Sequence, residues 1–134
     1  LNRSSDLTLS LEVIVRNIAA GSFSKRYGVE EGVAFDKPTI EYSYKNDALG
    51  DPLLNSHHAL ALKIATYREL QTIQRNALRI NGILQDFWAK CGVTLVDFKM
   101  EFGRLSDGTI VLADEISWKK ENGVILNLRP RSSS

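Results

Sequence analysis

Within the strand-like run Val93 to Phe102, charged and apolar side chains alternate from Val96 onward. In a β-strand, successive side chains point to opposite faces of the sheet. The charged face of this strand would carry Asp97, Lys99 and Glu101. The apolar face would carry Val96, Phe98, Met100 and Phe102. Two carboxylates and an ammonium group on one face could bind a cation or the anionic groups of a substrate.

A second strand, Thr109 to Ser117, follows a turn that contains Asp107-Gly108, a strong signal for a two-residue β-hairpin loop. Such a loop predicts that Glu101 lies directly opposite Asp114. Like charges about 5 Å apart repel, and a hard cation between them explains the pair better. Mg²⁺ prefers oxygen ligands and needs few protein ligands when phosphates accompany it. The alternative is the ordinary wet face of a half-buried sheet, and the pattern alone leaves both open.

Gly21-Ser22 precedes two cations, Lys25 and Arg26. A small-residue turn, a hydroxyl and the amides of a helix start could together cradle a phosphate. The alternative is an ordinary serine cap on a short helix that ends before Gly28, followed by solvated basic residues. Because the Gly-Lys-Ser/Thr ending of a P-loop is missing, the segment alone does not decide between them.

Strands and one long helix would position these residues. Leu9 to Asn17 and Thr39 to Lys45 alternate as strands do, and Val124 to Leu128 is a further short candidate. Thr66 opens a capping box. From there, apolar residues recur at helical spacing until Gly92: Leu70, Ile73, Ala77, Ile80, Leu84 and Phe87. These elements predict an α+β fold in which an antiparallel sheet packs against one long amphipathic helix and shorter helices.

The composition is that of one packed domain. The 134 residues include 17 Lys+Arg and 16 Asp+Glu, a net charge of +1, which argues against a nucleic-acid partner. No apolar run is long enough for a membrane span, and the first residues lack the features of a signal peptide, so we expect a cytoplasmic protein with no membrane partner. The single cysteine cannot form an internal disulfide.

Four segments carry a resemblance to a known family: LEVIVRNIAAGSFSKR at 11–26, KNDALGDP at 45–52, LVDFKMEFG at 95–103 and LADEIS at 112–117. In this order and spacing they resemble SAICAR synthetases, the phosphoribosylaminoimidazole-succinocarboxamide synthases of purine biosynthesis. The resemblance implies an ATP-grasp-like fold. It also implies an ATP-dependent ligase that joins L-aspartate to the carboxylate of carboxyaminoimidazole ribotide and releases ADP and phosphate.

The resemblance also implies residue roles. Arg16 and Ser22 would hold the ribotide phosphate, and Lys45 and Asp51 would belong to a polar substrate loop. The hairpin residues divide between two roles. Asp97 and Lys99 would face the substrates, whereas Glu101 and Asp114 would bind the Mg²⁺ that accompanies ATP.

The resemblance divides the chain into an unmatched segment 1–10, a SAICAR synthetase-like domain 11–117 and a divergent tail 118–134. Family members have an additional N-terminal sheet with an ATP loop and additional C-terminal helices, so part of the nucleotide site is expected to be missing. Two alternatives to a complete ligase therefore stay open. The chain could be a catalytically incomplete module that binds phosphate or a magnesium nucleotide, or a fragment that self-associates into a homo-oligomer.

Overall fold

A computed structural model describes Leu9 and the residues 11–112 and 125–130. In this part of the chain, six strands form an antiparallel sheet in the order β3-β2-β1-β4-β5, with β6 also paired to β4. The strands are β1 (Leu11–Ile18), β2 (Ala34–Tyr44), β3 (Leu53–Leu54), β4 (Val93–Arg104), β5 (Ile110–Leu112) and β6 (Ile125–Pro130). A strand is confirmed at each predicted place, although β1 begins at Leu11, β2 begins earlier than expected and β3 was not predicted. Of the predicted strand Thr109 to Ser117, only Ile110–Leu112 is seen as strand, and residues 113–117 lie outside the described residues.

Within the described ranges, three α-helices connect the strands: α1 (Gly21–Tyr27), α2 (Ser56–Ala61) and α3 (Tyr67–Lys90). The predicted capping box at the start of α3 is confirmed. The Thr66 hydroxyl accepts from the Glu69 amide at 3.1 Å, and the Glu69 carboxylate accepts from the Thr66 amide at 2.9 Å. Two otherwise orphaned amides are thereby satisfied, which fixes where the helix begins.

The core lies between one face of the sheet and α3. Apolar side chains of β1 and β4 pack there against the apolar stripe of the helix. The members that are fully enclosed include Leu11, Val13, Val15, Ile73, Ala77, Phe98 and Met100. This arrangement confirms the predicted α+β class. Phe87 was predicted to belong to this apolar stripe. That prediction is wrong, because Phe87 is 55% exposed.

β4 contains a bulge that the alternation did not predict. The register with β6 passes from Leu95 opposite Leu128 to Asp97 opposite Asn127, which leaves Val96 as the extra residue. Leu95 therefore joins Phe98 in the core cluster, and Val96, though buried, lies outside that cluster. The prediction that Val96 shares the apolar face of Phe98 is therefore wrong.

The hairpin between β4 and β5 also differs from the prediction. Phe102 lies opposite Leu112 and Arg104 opposite Ile110, and the Leu105 amide donates to the Thr109 carbonyl at 2.9 Å. The loop therefore has three residues rather than two, with Gly108 at φ 91° where a left-handed residue is needed. A change of one residue reverses which side chains share a face. The two-residue loop on which the pairing of Glu101 with Asp114 was based is wrong, and Asp114 lies outside the described residues.

None of the described helices is both long and apolar enough to cross a membrane.

Candidate functional site

The central strand β1 gathers the polar side chains of its two neighbours on one face of the sheet. Residues directly opposite each other in adjacent strands share a face. Three rows cross the strands in the order β2, β1, β4. They are Ser43-Glu12-Glu101, Glu41-Ile14-Lys99 and Thr39-Arg16-Asp97. We call these rows, together with Ser22 and Lys45, the polar face.

Arg16 is the most enclosed charge of the polar face, with 6% of its side chain exposed. Its Nε donates to Glu41 Oε2 at 2.6 Å, and its Nη2 donates to the Ser22 hydroxyl at 3.0 Å. Its Nη1 lies 3.6 Å from Asp97 Oδ2, close enough for attraction but too far for a hydrogen bond. The structure thus brings together three of the predicted residues, Arg16, Ser22 and Asp97.

The alternative interpretation of Ser22 as a helix cap is wrong. The residue that precedes α1 is Ala20, and no side chain caps this end. Ser22 already lies within the helix, so its hydroxyl is directed to Arg16 instead of to an amide. The end of the helix follows the prediction, because Gly28 takes the left-handed conformation at φ 66°.

Asp97 combines burial with opposing charges. Burial raises the pKa of its carboxyl group above 3.8, while Arg16, a hydrogen bond from the Asn127 side chain, and Lys99 favour its charged form. Lys99 itself is exposed. The pair therefore offers a partly enclosed carboxylate beside an accessible ammonium group.

A second cluster lies at the other end of the polar face. Lys45 Nζ donates to Glu101 Oε1 at 2.6 Å, and Glu12 lies directly opposite Glu101. Burial raises the pKa of the Glu12 carboxyl group above 4.5; Glu101 and Asp51 add to this, and Lys99 and Lys45 oppose it. Two facing carboxylates are therefore only partly neutralised by nearby lysines.

Asp51 closes the loop that carries Lys45. Its Oδ1 accepts from the Asn46 amide at 2.7 Å, and its backbone carbonyl accepts from the Ser43 hydroxyl at 2.9 Å. Its φ of 48° is unusual for a residue other than glycine. The predicted Lys45 and Asp51 are thus held close to the predicted Glu101.

Four polar residues of the polar face were not predicted from the sequence: Glu12, Thr39, Glu41 and Ser43. The same alternation that selected the β4 residues places Glu12 with Arg16 on β1, and Thr39 with Glu41 on β2. The Thr39 hydroxyl is buried and has no hydrogen-bond partner among the described residues. Applying the alternation rule to all three strands would have found these residues, but only the strand order shows that they meet.

Among the described residues, no group of three His, Cys, Asp or Glu side chains could hold a metal ion. Two cavities of about 540 Å³ are lined by none of the predicted site residues. One lies between Asn17, Asp36 and Gln85, and the other lies beside Tyr67. A third, of about 340 Å³, is lined by Arg26 and Glu41 among others.

Comparisons with known proteins agree with the resemblance. The model of the SAICAR synthetase family matches residues 5–120. The phosphoribosylaminoimidazole-succinocarboxamide synthase of Lactococcus lactis subsp. lactis is 53% identical over 117 residues, which are 87% of this chain and 49% of that protein. This chain therefore spans about half the length of such curated relatives.

Solved structures give the same result. The corresponding synthase of Ehrlichia chaffeensis superimposes with a TM-score of 0.85 at 40% identity, covering 95% of this chain and 53% of that one. A SAICAR synthetase in complex with ADP superimposes with a TM-score of 0.78 at 50% identity, covering 83% of this chain and 48% of that one. The match over most of this sequence, together with the shared fold, shows that the chain belongs to the SAICAR synthetase family.

Proposed function

We propose that the polar face belongs to the active site of an ATP-dependent ligase that joins L-aspartate to the carboxylate of carboxyaminoimidazole ribotide. The observation that carries the proposal is the meeting of Arg16, Ser22 and Asp97 on one face, at positions that match the family motifs. A guanidinium group beside a hydroxyl group is suited to a phosphate, because both can donate hydrogen bonds to its oxygens.

Asp97 and Lys99 are suited to the reacting groups. A carboxylate is a poor acyl donor, and ATP converts it into an acyl phosphate with release of ADP. The amine of aspartate then attacks that carbon, an amide bond forms and phosphate leaves. A carboxyl group with a raised pKa, such as that of Asp97, is a better acceptor for the proton of the aspartate ammonium group. Lys99, which is exposed beside it, would offset the negative charge of the substrates.

Mg²⁺ and ATP are part of the proposal. A magnesium ion that arrives with nucleotide phosphates needs only one or two protein carboxylates, and the Glu101 carboxylate opposite Glu12 fits that requirement. By the resemblance, Asp114 would be the second ligand. When bound, the ion would neutralise phosphate charge. The ADP complex of a related SAICAR synthetase supports the proposal that this chain takes part in binding a nucleotide.

Turnover tests this proposal. The chain is incubated with ATP, Mg²⁺, aspartate and the ribotide, and the succinocarboxamide product is followed. We expect product that disappears in a double variant, Glu101→Ala with Asp114→Ala, and persists in the matched control Glu30→Gln, an exposed carboxylate outside the polar face. Product that survives the double variant would contradict the assigned roles.

A second candidate is a module that binds the ribotide or a magnesium nucleotide without turnover, and the pairing of Arg16 with the Ser22 hydroxyl is the observation that favours it. The same samples separate the two candidates. Saturable binding of the ribotide by calorimetry without product formation would support the binding module and contradict autonomous catalysis.

A further inference from the structure

Glu41 has no role in the proposed reaction, yet its carboxylate lies between two arginines. Arg16 Nε donates to Oε2 at 2.6 Å, and Arg16 Nη2 lies 3.4 Å from Oε1. On its other side, Arg26 Nη1 lies 3.6 Å from Oε1. Only 14% of the Glu41 side chain is exposed. A buried carboxylate beside a proposed phosphate site requires an explanation.

By charge alone, Glu41 is unfavourable for that site. A negative group next to Arg16 weakens the attraction between this arginine and an anion. If Glu41 strengthens phosphate binding, it must do so by orienting Arg16, because its negative charge alone weakens binding. Removing the charge of Glu41 should therefore strengthen phosphate binding if only charge matters, and weaken it if orientation matters.

The geometry restricts Arg16 in two directions. The two Glu41 oxygens occupy one edge of the guanidinium group, and the Phe23 ring lies under its face, with the Arg16 Cζ 5.7 Å from the ring centre. Held in this way, the group presents its other donors to Ser22 and Asp97. An arginine side chain that is already oriented loses less conformational entropy when a ligand binds.

We infer that Glu41 is a positioning residue for Arg16, which it orients toward the phosphate of the ribotide. The inference rests on the proposed function, because it assumes that Arg16 binds this phosphate. It concerns orientation only, since the bound phosphate would contact Arg16 and Ser22 rather than the Glu41 carboxylate.

The test measures phosphate-dependent binding by calorimetry. The full chain is titrated with carboxyaminoimidazole ribotide and with the same molecule without its 5′-phosphate, and the ratio of the two affinities is compared among variants. Glu41→Gln should lower this ratio about tenfold or more, because the forked ion pair is lost, and should leave the affinity for the dephosphorylated molecule unchanged. The matched control Glu30→Gln makes the same substitution at an exposed carboxylate outside the polar face and should change the ratio less than about threefold.

A Glu41→Gln ratio that stays at the wild-type value or rises would overturn the inference, since charge or fold alone would then account for the residue. Should that variant fail to fold, Glu41→Asp applies the same test, because it keeps the charge and shortens the side chain. It should lower the ratio, and a wild-type ratio would overturn the inference. A wild-type chain that binds both molecules equally would instead reject the phosphate site of the proposed function, and the inference with it.

A spectroscopic signature separates orientation from general stability. The Nε–H signal of Arg16 in ¹⁵N-labelled protein should be shifted downfield and protected from exchange in the wild type. It should lose both properties in Glu41→Asp and keep them in Glu30→Gln. An unprotected signal in the wild-type protein would contradict the orientation that the inference requires.

Discussion

Two arginine–glutamate pairs use the same chemistry in two regions of this molecule. Arg104 joins β4 to the start of α3, with its Nε 2.5 Å and its Nη2 2.7 Å from the two oxygens of Glu69. Arg16 joins β1 to β2 through Glu41, with corresponding distances of 2.6 and 3.4 Å. All four side chains are at most about one quarter exposed. Both pairs are thus forked and largely enclosed.

The two pairs differ in their other partners. Arg104 Nη2 also donates to the Ile64 carbonyl at 3.1 Å, and Glu69 also accepts from the Thr66 amide at 2.9 Å. These two partners are backbone groups, which the fold holds in place. Arg16 instead meets side chains, the Ser22 hydroxyl and the Asp97 carboxylate. An ion pair tied to the backbone serves stability, whereas one completed by movable side chains can exchange those contacts for a ligand.

The largest expected effect concerns stability at the first pair. Arg104→Gln should lower the free energy of unfolding by about 2–3 kcal/mol, because it leaves Glu69 largely buried without its forked partner. Urea unfolding followed by circular dichroism measures this loss. Affinity for the ribotide should stay within about twofold of the wild type. A large loss of affinity with unchanged stability would reverse the assignment of the two pairs.

A matched substitution at the second pair should act on binding. Arg16→Lys keeps the charge but loses the fork, and should weaken ribotide binding about tenfold. The control Arg104→Lys makes the same chemical change at the other pair and should leave binding unaltered. Calorimetry on both variants gives the comparison directly. Equal losses of affinity in the two variants would remove the distinction between the pairs.

Glu69 also forms the capping box of α3 with Thr66. Thr66→Ala removes one half of the capping box and should cost about 1 kcal/mol of unfolding free energy, without an effect on the ribotide. Because Glu69 serves both the cap and Arg104, the cost should differ when Thr66→Ala is combined with Arg104→Gln. Strict additivity in this double-mutant cycle would show that the cap and the ion pair are independent.

The smallest effects are changes with pH, and they have opposite signs in the two regions. The hydrogen bond from Arg104 lowers the pKa of Glu69 below 4.5, so its stabilisation is present above that pH and is lost as the pH falls through the lower folded value. Burial raises the pKa of Asp97 above 3.8, so its contribution is greatest below that pH and is lost as the pH rises through the folded value.

Urea unfolding between about pH 3 and about pH 7 tests these signs. In Arg104→Gln, the free energy of unfolding should fall less than in the wild type as the pH is lowered. In Asp97→Asn, the decrease in this free energy as the pH rises toward 7 should disappear. Asp97→Asn would then be more stable than the wild type near pH 7, as expected where a functional carboxylate is retained at a cost in stability. A less stable Asp97→Asn at that pH would contradict the dominant effect of burial.

How much of this could be predicted depends on the range of the interactions involved. The capping box of α3 and the alternation on β1 and on β4 from Asp97 onward are local, and both were predicted correctly. The bulge at Val96 and the three-residue loop ending at Gly108 each change the count by one residue, which alternation alone does not detect. The three-residue loop is the reason that the predicted pairing of Glu101 with Asp114 is wrong.

The candidate site was predicted as a set of residues but not as a set of contacts. Arg16 and Asp97 were both named, yet their meeting depends on β1 lying between β2 and β4, a pairing between strands far apart in sequence. The contact between Glu41 and Arg16 was not predicted for the same reason, because the two residues are 25 positions apart in the sequence. Local patterns reveal which face is polar, and the register decides which polar groups touch.

The position of the bound ribotide can be located on the molecule itself. A ¹⁵N-labelled chain is titrated with carboxyaminoimidazole ribotide, and chemical shifts are followed by NMR. If the ribotide binds at the polar face, saturable changes occur at the Arg16 side chain, at Ser22 and at Asp97, with none at Arg104 or Glu69. Changes confined to the cavity between Asn17, Asp36 and Gln85, with the Arg16 signal unmoved, would contradict binding at the polar face.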